Sequence, residues 1–102
     1  MIHVIATIEV KPGAREELLA VMRQNVPLVL AEQGCIAYTP TVDVASGLPV
    51  QPALREDVVT IVEAWESLEH LRSHLRTPHM LSYREKVKDL VKGLEVQVLQ
   101  PV

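Results

Sequence analysis

The sequence has few aromatic side chains: one Trp, two Tyr and no Phe among 102 residues. The core must therefore be built almost wholly from aliphatic side chains. This scarcity makes Trp65 informative, because it ends an apolar strand-like segment and is followed by His70, His74 and His79. Aromatic and titratable groups concentrated at one strand-to-helix junction are typical of a small reactive site.

Several other features are absent. The single Cys35 cannot form an internal disulfide, which fits a reducing cytoplasm, the predicted location. Cys35 has neither a base nor a second cysteine near it in sequence, so a nucleophilic role is not expected. The four glycines are scattered and form no phosphate-cradling loop, which excludes a nucleotide or flavin fingerprint. No apolar run of about 18 residues predicts a membrane span, and no basic segment precedes Ile2 to suggest a signal peptide.

Charge and length limit the remaining classes. The formal net charge is −3, which argues against a nucleic-acid-binding protein. A chain of 102 residues fits one domain, residues 1–102, and can bury roughly 60–70% of its unfolded surface.

Apolar periodicity and turn residues predict the elements along the chain. We expect Pro27 to kink or split the first helix, Gly34 to end it, Ser67 and Thr77 to cap two later helical pieces, and Gly93 to end the last. The expected elements are strand Ile2–Val10, helix Ala14–Glu32, strand Cys35–Val44, loop Ala45–Glu56, strand Val58–Trp65, helical pieces Ser67–Arg76 and Pro78–Val91, and strand Leu94–Leu99.

The order β-α-β-β-α-β predicts an α+β fold of the ferredoxin-like type. One sheet face would pack on the helices. The other would carry Ile5, Thr7, Val59 and Ile61, or their register neighbours, and is too apolar to face water. A homodimer joined sheet to sheet is therefore expected.

Five segments, taken in order, resemble the antibiotic biosynthesis monooxygenase domain family, especially its small quinol monooxygenases. The resemblance covers nearly the whole chain and implies a ferredoxin-like monomer that dimerises into a shared α+β barrel. The resembling segments are Val10-Lys11-Pro12-Gly13, Glu32-Gln33-Gly34-Cys35, Tyr38, Glu63-Ala64-Trp65-Glu66-Ser67 and His74-Leu75-Arg76-Thr77-Pro78-His79.

The family resemblance implies cofactor-free oxygenation of quinols or phenolic compounds, but the fold also hosts isomerases and haem degraders. The haem-degrading relatives use an Asn on the first strand, whereas this strand offers His3, Thr7 and Glu9. That difference argues against a haem-degrading function.

Five residues are the candidate site. His74 is expected to be the base, because an imidazole titrates near pH 6.5. Trp65 would form a stacking wall, unless it only fills the gap between sheet and helix. Tyr38 or His79 would donate a hydrogen bond to a substrate oxygen, although His79 also fits a surface position. Glu63 shares a strand face with Trp65 and would line the cavity with a raised pKa.

Some alternatives remain open for these residues. Glu63 is more simply explained by an ion pair with Arg72, Arg76 or Arg84. His70 and His74 have the i, i+4 spacing of two metal ligands, but no third ligand is evident, so no metal site is predicted.

The sequence thus predicts a cofactor-independent monooxygenase that uses O₂ and a small aromatic substrate. The alternatives are a protein that binds a hydrophobic metabolite without converting it, as in a stress response, and an isomerase that uses the same base and cavity.

Overall fold

Four strands form one antiparallel sheet, and three helices pack on one of its faces. The computed structural model describes all 102 residues. The elements are β1 (Ile2–Val10), α1 (Arg15–Leu30), β2 (Cys35–Thr41), β3 (Val58–Trp65), α2 (Leu68–His74), α3 (Pro78–Val87) and β4 (Val91–Leu99). The strand order is β2-β3-β1-β4. This topology confirms the predicted ferredoxin-like α+β fold. None of the helices is long and apolar enough to cross a bilayer.

The end of α3 differs from the prediction. The helix ends at Val87 instead of Val91, because the Leu90 N–H donates to the Val87 carbonyl at 2.8 Å and closes a turn. The Leu90 carbonyl then accepts from the Lys11 N–H at 2.9 Å, so pairing with the end of β1 begins early. Gly93 consequently lies inside β4, opposite Glu9, and the prediction that it ends a helix was wrong.

Helix α1 is continuous through Pro27, so the predicted split does not occur. Proline removes its own N–H donor and crowds the preceding turn, but it leaves the hydrogen bonds of the following turn intact. The Pro27 carbonyl still accepts from the Ala31 N–H at 3.2 Å, and this bond completes the last turn. The helix ends at Leu30 with Ala31 as its C-cap, so the prediction that Gly34 ends it was wrong. The positive φ of Gly34, 81°, belongs to the turn that leads into β2.

The register of β1 with β3 decides which residues face the helices. Ala6 lies opposite Ile61 and Ile8 opposite Val59, and all four side chains are buried in the core. Val59 and Ile61 therefore face the helices. The predicted alternative holds instead, because their register neighbours occupy the outer face, with Val62 opposite Ile5 and Thr60 opposite Thr7.

Two hydroxyl caps divide the chain between β3 and β4 into α2 and α3, as predicted. The Ser67 side chain accepts from the His70 N–H, and the Thr77 side chain accepts from the Met80 N–H, each at 3.3 Å. The break places His74 at the end of α2 and His79 in the first turn of α3.

Candidate functional site

An apolar cavity of about 510 Å³ lies between α2, α3 and the helix-facing side of the sheet. Helix α3 packs on α1 rather than closely on the strands, which leaves this space over β1 and β4. Hydrophobic residues make up 14 of the 18 that line it; the other four are Glu63, His74, Arg84 and Lys88. A predominantly apolar cavity with a few polar groups is the usual form of a small-molecule site.

His74 is fixed in the cavity wall by two aromatic neighbours and a carboxylate. Its side chain is buried, and its ring centroid lies 4.6 Å from that of Trp65 and 5.5 Å from that of Tyr38. Nδ1 lies 2.9 Å from Oε2 of Glu32. Because a carboxylate accepts hydrogen bonds, we assign the proton to Nδ1, and Nε2 keeps its lone pair.

Four polar atoms of residues that line the cavity have no hydrogen-bond partner in the protein: Nε2 of His74, the hydroxyls of Tyr38 and Tyr83, and Oε2 of Glu63. Thr60 Oγ1 is the one fully buried side-chain N or O atom without a partner, so these four atoms keep some accessible surface. Tyr83 also borders a second, small pocket, whereas Tyr38 does not. A ligand in the cavity can donate to His74 and accept from Tyr38.

Glu32 binds both histidines, a role that was not predicted from the sequence. Its Oε2 lies 2.9 Å from His74 Nδ1 and 2.7 Å from His79 Nε2. One signal was available: Glu32 directly follows α1, where the negative end of the helix dipole disfavours an acidic side chain. A carboxylate in that position needs compensation from elsewhere, and the two imidazoles supply it.

Burial sets the protonation states around the cavity. It lowers the pKa of His74, although the hydrogen bond from His74 to Glu32 opposes the effect, so the neutral imidazole is favoured. Burial also raises the pKa of Glu63 to about 7, against a lowering contribution from the Trp65 N–H. It raises the pKa of Tyr38 strongly and that of Tyr83 to about 12, so both hydroxyls remain donors at neutral pH.

Glu63 does line the cavity and has a raised pKa, as one of its two interpretations predicted. The favoured alternative, an ion pair with an arginine, was wrong. Oε1 of Glu63 instead accepts from the Trp65 indole N–H at 2.9 Å. The alternation of β3 directs both side chains toward the helices, where an indole donor is the nearest partner.

Trp65 and His79 do not line the cavity. The Trp65 ring is fully buried behind His74 and Glu63, so it supports these two residues and cannot be the predicted stacking wall. His79 binds the same Oε2 of Glu32 as His74 does and borders a separate small pocket. The two imidazoles thus converge on a carboxylate and do not point into one cavity. Tyr38 lies in the cavity wall.

No group of three or more His, Cys, Asp or Glu side chains is arranged to hold a metal ion. His70 and His74 have different partners in spite of their spacing. His70 Nδ1 lies 2.8 Å from the Ser67 hydroxyl, whereas His74 is bound to Glu32.

Comparisons with known proteins agree with this architecture. Residues 1–86 match the family model for antibiotic biosynthesis monooxygenase. The chain is 43% identical to "Probable quinol monooxygenase YgiN" of Escherichia coli K12, over 99% of this chain and 98% of that protein. Two solved structures each superpose with a TM-score of 0.81. Rv0793 of Mycobacterium tuberculosis is 27% identical and PA3566 of Pseudomonas aeruginosa 25%; each match covers 99% of this chain, and 94% and 93% of those chains.

Proposed function

Because the chain belongs to the antibiotic biosynthesis monooxygenase family, we propose that it oxidises a quinol or a related phenol with O₂, without a cofactor. The observation that carries this proposal is the Glu32–His74 pair at the wall of an apolar cavity. A neutral imidazole oriented by a carboxylate is a suitable general base. The relative named as a quinol monooxygenase supports the choice of substrate class.

The first step is removal of a phenolic proton by Nε2 of His74. A phenol of pKa near 10 and an ordinary imidazole near 6.5 differ by roughly 3.5 units, or about 4.8 kcal/mol. The lowered pKa of His74 widens that gap. The imidazolium that forms would be stabilised by Glu32, and the quinolate by a hydrogen bond from Tyr38.

The second step uses the electron-rich anion as the reductant. Triplet O₂ reacts slowly with closed-shell molecules, but a quinolate can pass it one electron. The radical pair then combines at a ring carbon. One oxygen atom remains on the ring and the other leaves as water, so a quinol with a ring C–H gives a hydroxyquinone. Both reducing equivalents come from the substrate. The apolar walls limit entry of water that would intercept intermediates.

The test is oxygen uptake with a panel of naphthoquinols and polyhydroxylated phenols, with a chelator present. We expect His74→Gln to lower the rate by about 10²–10⁴-fold, the usual contribution of a general base. His79→Gln should have a smaller effect, because Glu32 still accepts from His74. His3→Gln, on the outer sheet face, is the control and should match the wild type.

Wild-type uptake in His74→Gln would refute the role of the base. Uptake in the wild type no faster than spontaneous oxidation would favour the other two functions. Saturable binding without turnover would indicate a metabolite-binding protein, and conversion of a substrate under anaerobic conditions would indicate an isomerase.

A further inference from the structure

Three polar groups of the cavity, those of Tyr38, Glu63 and His74, lie at one side of the sheet. Tyr38 on β2 is directly opposite Glu63 on β3, and the His74 ring packs beside Tyr38. These are the two strands farthest from β4 in the order β2-β3-β1-β4. A phenolic head that needs the base and the donors must therefore lie over β2 and β3.

The opposite side of the cavity is apolar and open. Leu94, Val96 and Val98 on β4 face the cavity, opposite Ile8, Ala6 and Val4 of β1. The β1 side chains are buried, whereas the three β4 side chains are 61%, 50% and 46% exposed. The cavity thus continues from the polar groups to an exposed apolar edge.

The size of the cavity exceeds that of a bare two-ring quinol. Its volume of about 510 Å³ lies in the range of pockets for drug-sized ligands, roughly 300–1,000 Å³, whereas a naphthoquinol has only about twelve heavy atoms. From β3 to β4 is two strand spacings, about 10 Å, which is apolar surface beyond the reach of the aromatic head.

The two cationic side chains on the α3 side of the cavity, Arg84 and Lys88, do not prevent an apolar ligand from binding there. The Arg84 guanidinium donates to the Leu75 carbonyl, and Lys88 Nζ lies 2.6 Å from Oε1 of Glu85. Their charged ends are therefore occupied by protein groups, and their aliphatic stems can line the cavity.

We propose that the substrate carries an apolar alkyl or prenyl side chain. Its aromatic head lies against Tyr38, Glu63 and His74, and its side chain follows Val96 and Leu94 to the edge of the sheet. This inference rests on the proposed function for the aromatic head, but the contribution of the side chain is a binding property that can be measured without turnover.

The experiment measures binding of 2-alkyl-1,4-naphthoquinones, from methyl to hexyl, as oxidised forms that are not turned over. Trp65 is the only tryptophan and its ring contacts that of His74, so quenching of its fluorescence reports an aromatic head at the site. A fully buried methylene tightens binding by about fourfold. Because the β4 side chains are half-exposed, we expect roughly twofold to fourfold per methylene.

Val96→Asp tests the position of the side chain. This variant should bind the methyl compound with a Kd within about twofold of the wild-type value. It should lose most of the increase in affinity that longer side chains give. Leu81→Asp, an exposed position on α3 outside the cavity, is the control and should keep the full gain. Leu94→Thr is a milder second variant if Val96→Asp does not fold by circular dichroism.

A Kd that does not change with chain length overturns the inference, as does an equal gain in Val96→Asp and Leu81→Asp. Oxygen uptake with the reduced, quinol form of the methyl compound, together with a Kd that does not change with chain length, would reject the apolar side chain and leave the proposed function standing. A Kd that falls steeply with chain length, without oxygen uptake, would support the apolar side chain and reject the proposed function.

Discussion

Glu63 is a buried carboxyl group without a cationic partner. It is 5% exposed, and its hydrogen-bond donor in the protein is the neutral indole N–H of Trp65. One neutral hydrogen bond does not offset the loss of hydration, so desolvation dominates and raises the pKa to about 7. A side chain kept partly protonated at neutral pH can either donate to or accept from a substrate oxygen.

Replacement of Glu63 by Gln should change how stability depends on pH. The folded-state pKa of about 7 lies above the ordinary glutamate value of 4.5, so the folded state binds the extra proton between these values. The favourable contribution of Glu63 is present below about pH 4.5 and is lost as the pH rises through 7. The penalty above that range is about 3 kcal/mol. Gln keeps an acceptor for Trp65 and does not titrate.

Urea denaturation of both proteins at pH 5 and pH 8.5 measures this effect. The difference in free energy of unfolding should move in favour of Glu63→Gln at the higher pH. Titration of His74 affects both proteins, so it largely cancels in the difference. A difference that is constant across the range would mean that Glu63 ionises as an exposed glutamate does.

At the scale of elements, Gly34 sets how closely α2 approaches the loop after α1. Gly34 and Gly13 have nearly equal backbone angles, with φ of 81° and 80°. A Cβ at Gly34 would overlap the imidazole ring of His70, whereas a Cβ at Gly13 would meet nothing within 4 Å. The two positions therefore separate a steric effect from the cost of a left-handed conformation.

Gly13→Ala should destabilise the protein by about 1–2 kcal/mol, the cost of a left-handed residue with a Cβ. Gly34→Ala should add a further 1–3 kcal/mol or so, as overpacking does. Denaturation midpoints of the two variants against wild type provide the comparison. Equal losses would show that α2 moves freely away from Gly34.

The elements themselves were largely predictable, because local patterns determine them. Alternation gave the bounds of β1 and β3, and the hydroxyls of Ser67 and Thr77 identified the caps. Contacts between distant segments were not predictable. Glu32 is separated by 42 and 47 residues from the histidines it joins. No local pattern shows whether a tryptophan will line a cavity or lie buried beneath it, so the sequence left both positions open for Trp65.

At the scale of the whole molecule, the outer face of the sheet is less apolar than predicted. Ile5 and Val62 lie at its centre, with Thr7 and Thr60 as neighbours, since Val59 and Ile61 face the helices. Val62 is nevertheless 42% exposed. Thr60 Oγ1 is also buried without a partner in this chain, and an unsatisfied hydroxyl costs about 1–3 kcal/mol. A second sheet packed on this face would cover Val62 and could provide a hydrogen-bond partner for Thr60 Oγ1.

We therefore expect a homodimer that is disrupted by a charge on this face. Light scattering should give twice the chain mass of 11.4 kDa for the wild type and a shift toward the monomer for Val62→Asp, since a dry sheet interface cannot accommodate an unpaired carboxylate. Leu81→Asp is the matched control on the helical side and should remain dimeric. Unchanged circular dichroism would separate dissociation from unfolding. A monomeric wild type, or a fully dimeric Val62→Asp, would exclude packing through the outer face and would leave Thr60 to be satisfied by water.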